Sequence, residues 1–158
     1  MGVHLVIVAE ERIEALQRLK NWEKEWRASV TVDQEPYQPG LVTRVEGQAT
    51  GSAPGVEEKT GPERVFDGSR HTKYCVPEST MWVQVKLADG PTCMDAYAVM
   101  SAKDNDKRDP RDWVLKGSKD GQSWTVLDRR TDESFGSRCE RREFRLSHPG
   151  EYAYYRLD

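Results

Sequence analysis

From residue 82 onward, apolar and polar residues alternate almost one for one. In "WVQVKLA", Val83, Val85 and Leu87 fall on one side, and Trp82, Gln84 and Lys86 on the other. A period of two sends successive side chains to opposite faces of a strand, so this stretch predicts a half-buried β-strand. "DAYAVMSA", "DWVLKGS", "WTVLDRR", "REFRLS" and "YAYYRLD" follow it, with turn residues between most of them. Residues 109–128, "DPRDWVLKGSKDGQSWTVLD", predict two short strands joined by the polar turn Lys119-Asp120-Gly121-Gln122-Ser123. Many short strands at this spacing predict an antiparallel sandwich or jelly roll.

The period changes near the N-terminus. "AEERIEALQRLKNWEKEWRA" is rich in helix formers. Ala15, Leu19, Trp22 and Trp26 fall on one helical stripe, with Ala9, Ile13 and Leu16 beside it. The preceding "VHLVIVA" reads either as the first turns of this helix or as a separate strand, and its β-branched content favours the strand. Residues 33–62 are punctuated by Pro36, Pro39, Gly40, Gly51, Pro54, Gly55, Gly61 and Pro62, as a connector should be. "LVTRVEGQAT" inside it alternates well enough for a strand. The expected organisation is a helical extension over 1–32 and a β-sandwich over 33–158, whose first strand lies in the connector.

Composition narrows the class. A chain of 158 residues can bury a core without staples. Five Trp and six Tyr supply apolar area that a disordered segment lacks. The net charge of −3 comes from both signs interspersed, which speaks against a nucleic-acid partner. Three cysteines, Cys75, Cys93 and Cys139, form no CxxC pair and no even framework. The apolar run after Met1 is too short to span a membrane and lacks the features of a secretory signal, so a cytoplasmic protein is expected.

Candidate chemistry is sparse. Motifs for a serine nucleophile or a phosphate loop are absent. His4, His71 and His148 are isolated, and Asp67-x3-His71-x3-Cys75 makes only a weak metal set. "ERVFDGSRHTKY" says more. Phe66 anchors a turn that Asp67-Gly68 reverses, and Thr72 adds a hydroxyl and a carbonyl. An oxygen-rich turn of this kind suits Ca²⁺. Without an ion Asp67 caps the turn by accepting from its backbone N–H groups, and the chemistry of the residues puts this cap ahead.

"GPERVFDGSRHTKY", "WVQVKLA", "YAVMSAKDNDKRDPRDWVLKGSKDGQSWTVLD" and "YAYYRLD" occur in the order seen in the discoidin, or coagulation factor 5/8 type C, domain. Over residues of about 41–158 the chain resembles this galactose-binding-like family. The resemblance implies a mainly β, eight-stranded antiparallel jelly-roll sandwich. It implies loops at one end that bind glycans, lipid headgroups or proteins, and a structural Ca²⁺ near the "FDG" turn. Asp67 and Thr72 fall on positions that supply ion ligands in many relatives, and Ser69 stands where many carry a second acidic residue.

The charged run "KDNDKRDPRDW" has two readings. Asp104, Arg108, Asp109 and Asp112 can pair with one another and fix the loop before Trp113. Asp104, Asn105 and Arg108 can also meet sugar hydroxyls, which demand short planar donors and acceptors. Surface charge runs are usually solvated packaging. The leading expectation is a non-catalytic module that binds a glycan or glycoprotein. Its ligand loop carries Asp104, Asn105, Arg108 and Asp109, with Tyr74 or Tyr37 stacking on a sugar ring. Trp82, Trp113 and Trp124 are expected in the core. The alternative is a protein-interaction or scaffold domain, with a partner held through the N-terminal helix and its Trp22 and Trp26.

Overall fold

The structure is a computed structural model that describes residues 2–9 and 46–158. The expected helix with Trp22 and Trp26, and Tyr37 of the connector, lie outside the described residues.

The described strands are β1 (Gly2–Ala9), β2 (Gly47–Gly51), β3 (Tyr74–Cys75), β4 (Val83–Leu87), β5 (Thr92–Ser101), β6 (Trp113–Ser118), β7 (Thr125–Arg130), β8 (Arg141–Arg145), β9 (Glu151–Tyr152) and β10 (Tyr154–Leu157). Two single 3-10 turns, Pro62–Val65 and Asp106–Arg108, interrupt the loops. One sheet has the order β3-β1-β5-β8, with β9 also on β5, and the other the order β2-β4-β10-β6-β7. Every pairing is antiparallel. The mainly β, antiparallel expectation holds.

The run "VHLVIVA" is a strand. β1 pairs with β5 from Val3 opposite Ser101 to Ala9 opposite Met94. The sheet therefore draws in residues that the sequence grouped with the extension. The reason is backbone accounting. β5 is ten residues long and needs a hydrogen-bonding neighbour on both edges. β8 reaches only Ala96 to Met100 on one side, and β1 covers the other.

The alternation read from the sequence sets which residues meet between the sheets. Val83, Val85 and Leu87 of β4, Leu115 of β6, and Tyr155 and Leu157 of β10 are all buried. They face Met94, Tyr97 and Val99 of β5, and Phe144 of β8, in one core. β2 contributes Gly47, Ala49 and Gly51 opposite these β4 residues. At Gly51 the missing side chain is a requirement, because a Cβ there would collide with the Tyr74 hydroxyl. Ala96 and Ala98, on the opposite side of β5 from Tyr97, are buried as well, so this strand is out of solvent on both faces.

Trp113 is in the core, 3% exposed, edge-on to Phe144 at 5.3 Å. Trp82 and Trp124 are not. Both are half-buried, and the Arg156 guanidinium lies over their rings at 4.3 and 5.7 Å. The physical reason is the same period of two. Trp82 is out of phase with Val83 and Val85, and so shares the outer face with Arg156 of β10.

Candidate functional site

Segments 52–60, 66–82 and 102–112 meet where β2, β4, β6 and β10 reach Gly51, Val83, Trp113 and Leu157. Each is held by local chemistry. In the first, the Thr60 hydroxyl donates to the Glu57 carbonyl and accepts from its N–H, both at 2.8 Å. The Cys75 N–H donates to the Thr60 carbonyl at 3.1 Å, which ties this segment to the second.

In the second segment, Gly68 turns the chain at φ +71°. Asp67 Oδ1 accepts from the Ser69 N–H at 2.8 Å, and Oδ2 accepts from the Thr72 hydroxyl at 2.7 Å. Arg64 Nη1 stands 3.9 Å from the same Oδ2. Asp67 is thus a cap. With one carboxylate already engaged by protein donors and facing a guanidinium, Asp67, Ser69 and Thr72 as they stand do not fit a Ca²⁺ ion, which takes six to eight oxygens. Among the described residues, no group of three His, Cys, Asp or Glu side chains converges on a metal-sized point. His71 and Cys75 do not join Asp67 in one.

In the third segment, Asn105 caps the 3-10 turn by accepting from the Lys107 N–H at 3.0 Å. Asp104 accepts from Lys73, and from Arg108 Nη2 at 3.0 Å. The hydrogen bond from Lys73 holds the Asp104 carboxyl below the usual carboxylate range, so the group stays ionised. Asp109 pairs with Arg138 in a two-pronged contact, with 2.8 Å from Nη1 to Oδ1. Arg138 Nη1 also reaches the Ala102 carbonyl at 3.3 Å. Asp112 accepts from the Asp132 N–H at 2.9 Å and from Arg111 Nε at 2.8 Å.

A groove runs between these segments. On one side of Arg108 it forms a cavity of about 390 Å³, lined by Thr60, His71, Lys73, Lys103 and Asp104 among others. On the other side a cavity of about 460 Å³ is lined by Pro77, Glu78, Ser79, Lys107 and Asp109 among others. Val56, Cys75 and Arg108 border both. Arg108 Nε is out of solvent there and has no hydrogen-bond partner among the described residues. A larger hollow of about 800 Å³ lies beside Glu63 and Arg64 at the β2 edge. It follows the small side chains of β2 and is also lined by Glu46, Asp67 and Lys86, and its Glu63 and Arg64 pair with each other at 3.3 Å.

The structure brings Asp104, Arg108 and Asp109 together at the groove, and places Asn105 on the turn between them. Tyr74 is corrected. It is fully buried, and its hydroxyl donates to the Ala53 carbonyl at 2.6 Å and accepts from the Ala53 N–H at 3.1 Å. A ring with both faces in the core cannot stack on a sugar. Lys59, Lys73, Lys103 and Glu57 were missed. They are isolated charges in loops without periodicity, and only closure of the sandwich sets them side by side.

No family model matches the chain. A stretch of 89 residues is 39% identical to the peptide-N(4)-(N-acetyl-beta-glucosaminyl)asparagine amidase of Arabidopsis thaliana, covering 54% of this chain and 12% of that protein. Solved structures share the fold. A CBM32 module from Clostridium perfringens, solved with GalNAc-beta-1,3-galactose, has a TM-score of 0.57 at 13% identity, covering 72% of this chain and 82% of that one. The family 32 carbohydrate-binding module from Streptococcus pneumoniae EndoD gives 0.57 at 16%, covering 73% and 84%. The family 32 module from C. perfringens NanJ, solved with galactose, gives 0.57 at 10%, covering 70% and 79%. These modules have the discoidin, galactose-binding-like fold, and so does this chain.

Proposed function

We propose that this chain is a non-catalytic module that binds the glycan of a glycoprotein through the groove on either side of Arg108. The observation that carries this reading is the groove itself. It is open, lies at the loop end of the sandwich, and is lined in part by side chains that their own hydrogen bonds fix, Thr60, Asp104 and Asp109 among them. Preformed donors and acceptors suit sugar hydroxyls, whose binding is weak unless little freedom is lost. The fold shared with modules solved on galactose-containing sugars supports a saccharide ligand. The amidase that half of the chain resembles is named for an N-acetyl-β-glucosaminyl asparagine bond, and this supports a glycoprotein as the bearer.

The pairing of Asp104 and of Asp109 with cations speaks against either acting as a general acid. Asp104 is held ionised by Lys73, and Asp109 is paired with Arg138. A general acid at neutral pH needs the opposite, a carboxyl pushed up by burial or by like charge.

Calorimetric titration of the chain with an N-linked glycopeptide tests the reading. Saturable binding is expected, competed by free N,N′-diacetylchitobiose or by galactose. A flat titration across these sugars, with a protein co-purifying instead, replaces glycan binding with the scaffold reading.

A further inference from the structure

The chain as a whole is acidic, at −3, yet the groove is not. Its first cavity is lined by four cations, Lys59, Lys73, Lys103 and Arg108, against two carboxylates, Glu57 and Asp104. Asp104 alone is shared between Lys73 and Arg108, so one positive charge is left over from that trio. Lys59 and Lys103 are exposed and make no ion pair among the described residues. The sum is a local surplus of two positive charges in a protein of opposite sign.

The lining of both cavities holds no Trp, Tyr or Phe, and its one ring is the exposed imidazole of His71. The broad platform on which a sugar ring usually stacks is therefore missing. Hydrogen bonds and charge then carry most of the binding. Clefts lined by one sign of charge concentrate ligands of the other sign. A guanidinium also matches a carboxylate, sulfate or phosphate better than a lone hydroxyl.

Resting on the glycan-binding reading above, we propose that the groove selects saccharides carrying an acidic group, and that this group sits between Lys59, Lys103 and Arg108. Lys73 and Asp104 hold Arg108 in place rather than meeting the ligand. The acidic group is a carboxylate, sulfate or phosphate on the sugar, since the three share the charge that the site reads.

The test uses the chain with trigalacturonate and with galactotriose, its neutral counterpart, in calorimetric titrations at low and high salt. Trigalacturonate is expected to bind more tightly, and to weaken as salt rises, because exposed charges are screened. Lys59→Gln and Lys103→Gln are each expected to weaken trigalacturonate by about two- to fivefold, the range of a surface ion pair. Neither should move galactotriose or the melting temperature. Sulfated and phosphorylated sugars then rank the three acids. Equal binding of the two probes, or trigalacturonate binding unchanged in both lysine variants, overturns acid selection. The glycopeptide titration distinguishes the two failures. If the glycopeptide binds and trigalacturonate does not, only the acidic preference falls. If neither binds, the glycan reading falls with it.

Discussion

Tyr97 shows how one side chain can organise a core. Its ring stacks on Phe144 at 5.2 Å, its hydroxyl donates to Asp128 Oδ2 at 2.6 Å, and Trp113 Nε1 donates to its oxygen at 2.9 Å. Burial, and then the bond to Asp128, push its pKa well above the ordinary tyrosine value, so the hydroxyl remains a donor at any pH the fold meets. Tyr97→Phe removes the acceptor of the Trp113 N–H without opening a cavity. An orphaned buried donor costs about 1–3 kcal/mol. A drop of that size in unfolding free energy, read by urea denaturation with Trp fluorescence, is the expected outcome. A change within about 0.5 kcal/mol, typical of surface substitutions, would mean that water or a shifted carbonyl satisfies the indole.

The β6–β7 hairpin illustrates an element whose turn was fully readable. Asp120 Oδ1 accepts from the N–H groups of Gln122 and Ser123 at 2.8 Å each, and from the Ser118 hydroxyl at 3.0 Å. Gly121 follows at φ +75°, a conformation in which an L side chain is strained. The bonds from Ser123 and Gln122, with that from Ser118, lower the Asp120 pKa to about 2, from an ordinary 3.8. A depressed folded-state value means that the stabilisation is present above the unfolded value. It is lost as pH falls from 3.8 through about 2. In Asp120→Asn the residue cannot titrate. The wild type is therefore expected to melt higher than the variant at pH 6, with the gap closing between pH 4 and pH 2. A gap that stays constant over thermal melts in this range would show that the turn does not feel the carboxylate charge.

At the scale of the molecule, the groove depends on loops distant in sequence being latched together. Arg138, in the loop before β8, clamps Asp109 and the Ala102 carbonyl. The Glu133 N–H donates to the Arg111 carbonyl at 2.9 Å. The Arg138→Ala variant is expected to retain the β-sandwich, because the core cluster does not include it. Amides of residues 103–109 should then exchange with solvent faster, and glycopeptide affinity should fall with them. Unchanged exchange in that loop would mean that Asn105 and the Asp104 pairs suffice to hold it.

Legibility followed physical range. The strands of sheet β2-β4-β10-β6-β7 could be read because a period of two is local, and burying one face enforces it. Trp113 was placed in the core for that reason. Trp82 and Trp124 were not separable from it by type, since the face each occupies depends on the phase of the strand. Tyr74 was misread because a two-residue strand carries no period at all. Its burial follows from where β3 lands, against β1 and beneath Gly51.

The sequence by itself determined the strand pattern and the β6–β7 turn, because each rests on bonds spanning a few residues, and at Asp67 it offered the cap beside an ion site. Only the tertiary structure decided that β1 flanks β5. It also brought Lys59, Lys73, Lys103 and Arg108 around one groove, and turned Asp109 toward Arg138. The Asp109 to Arg138 contact alone spans 29 residues, and the β1–β5 pairing spans more. No local periodicity records them, because closure of the two sheets is what makes them neighbours.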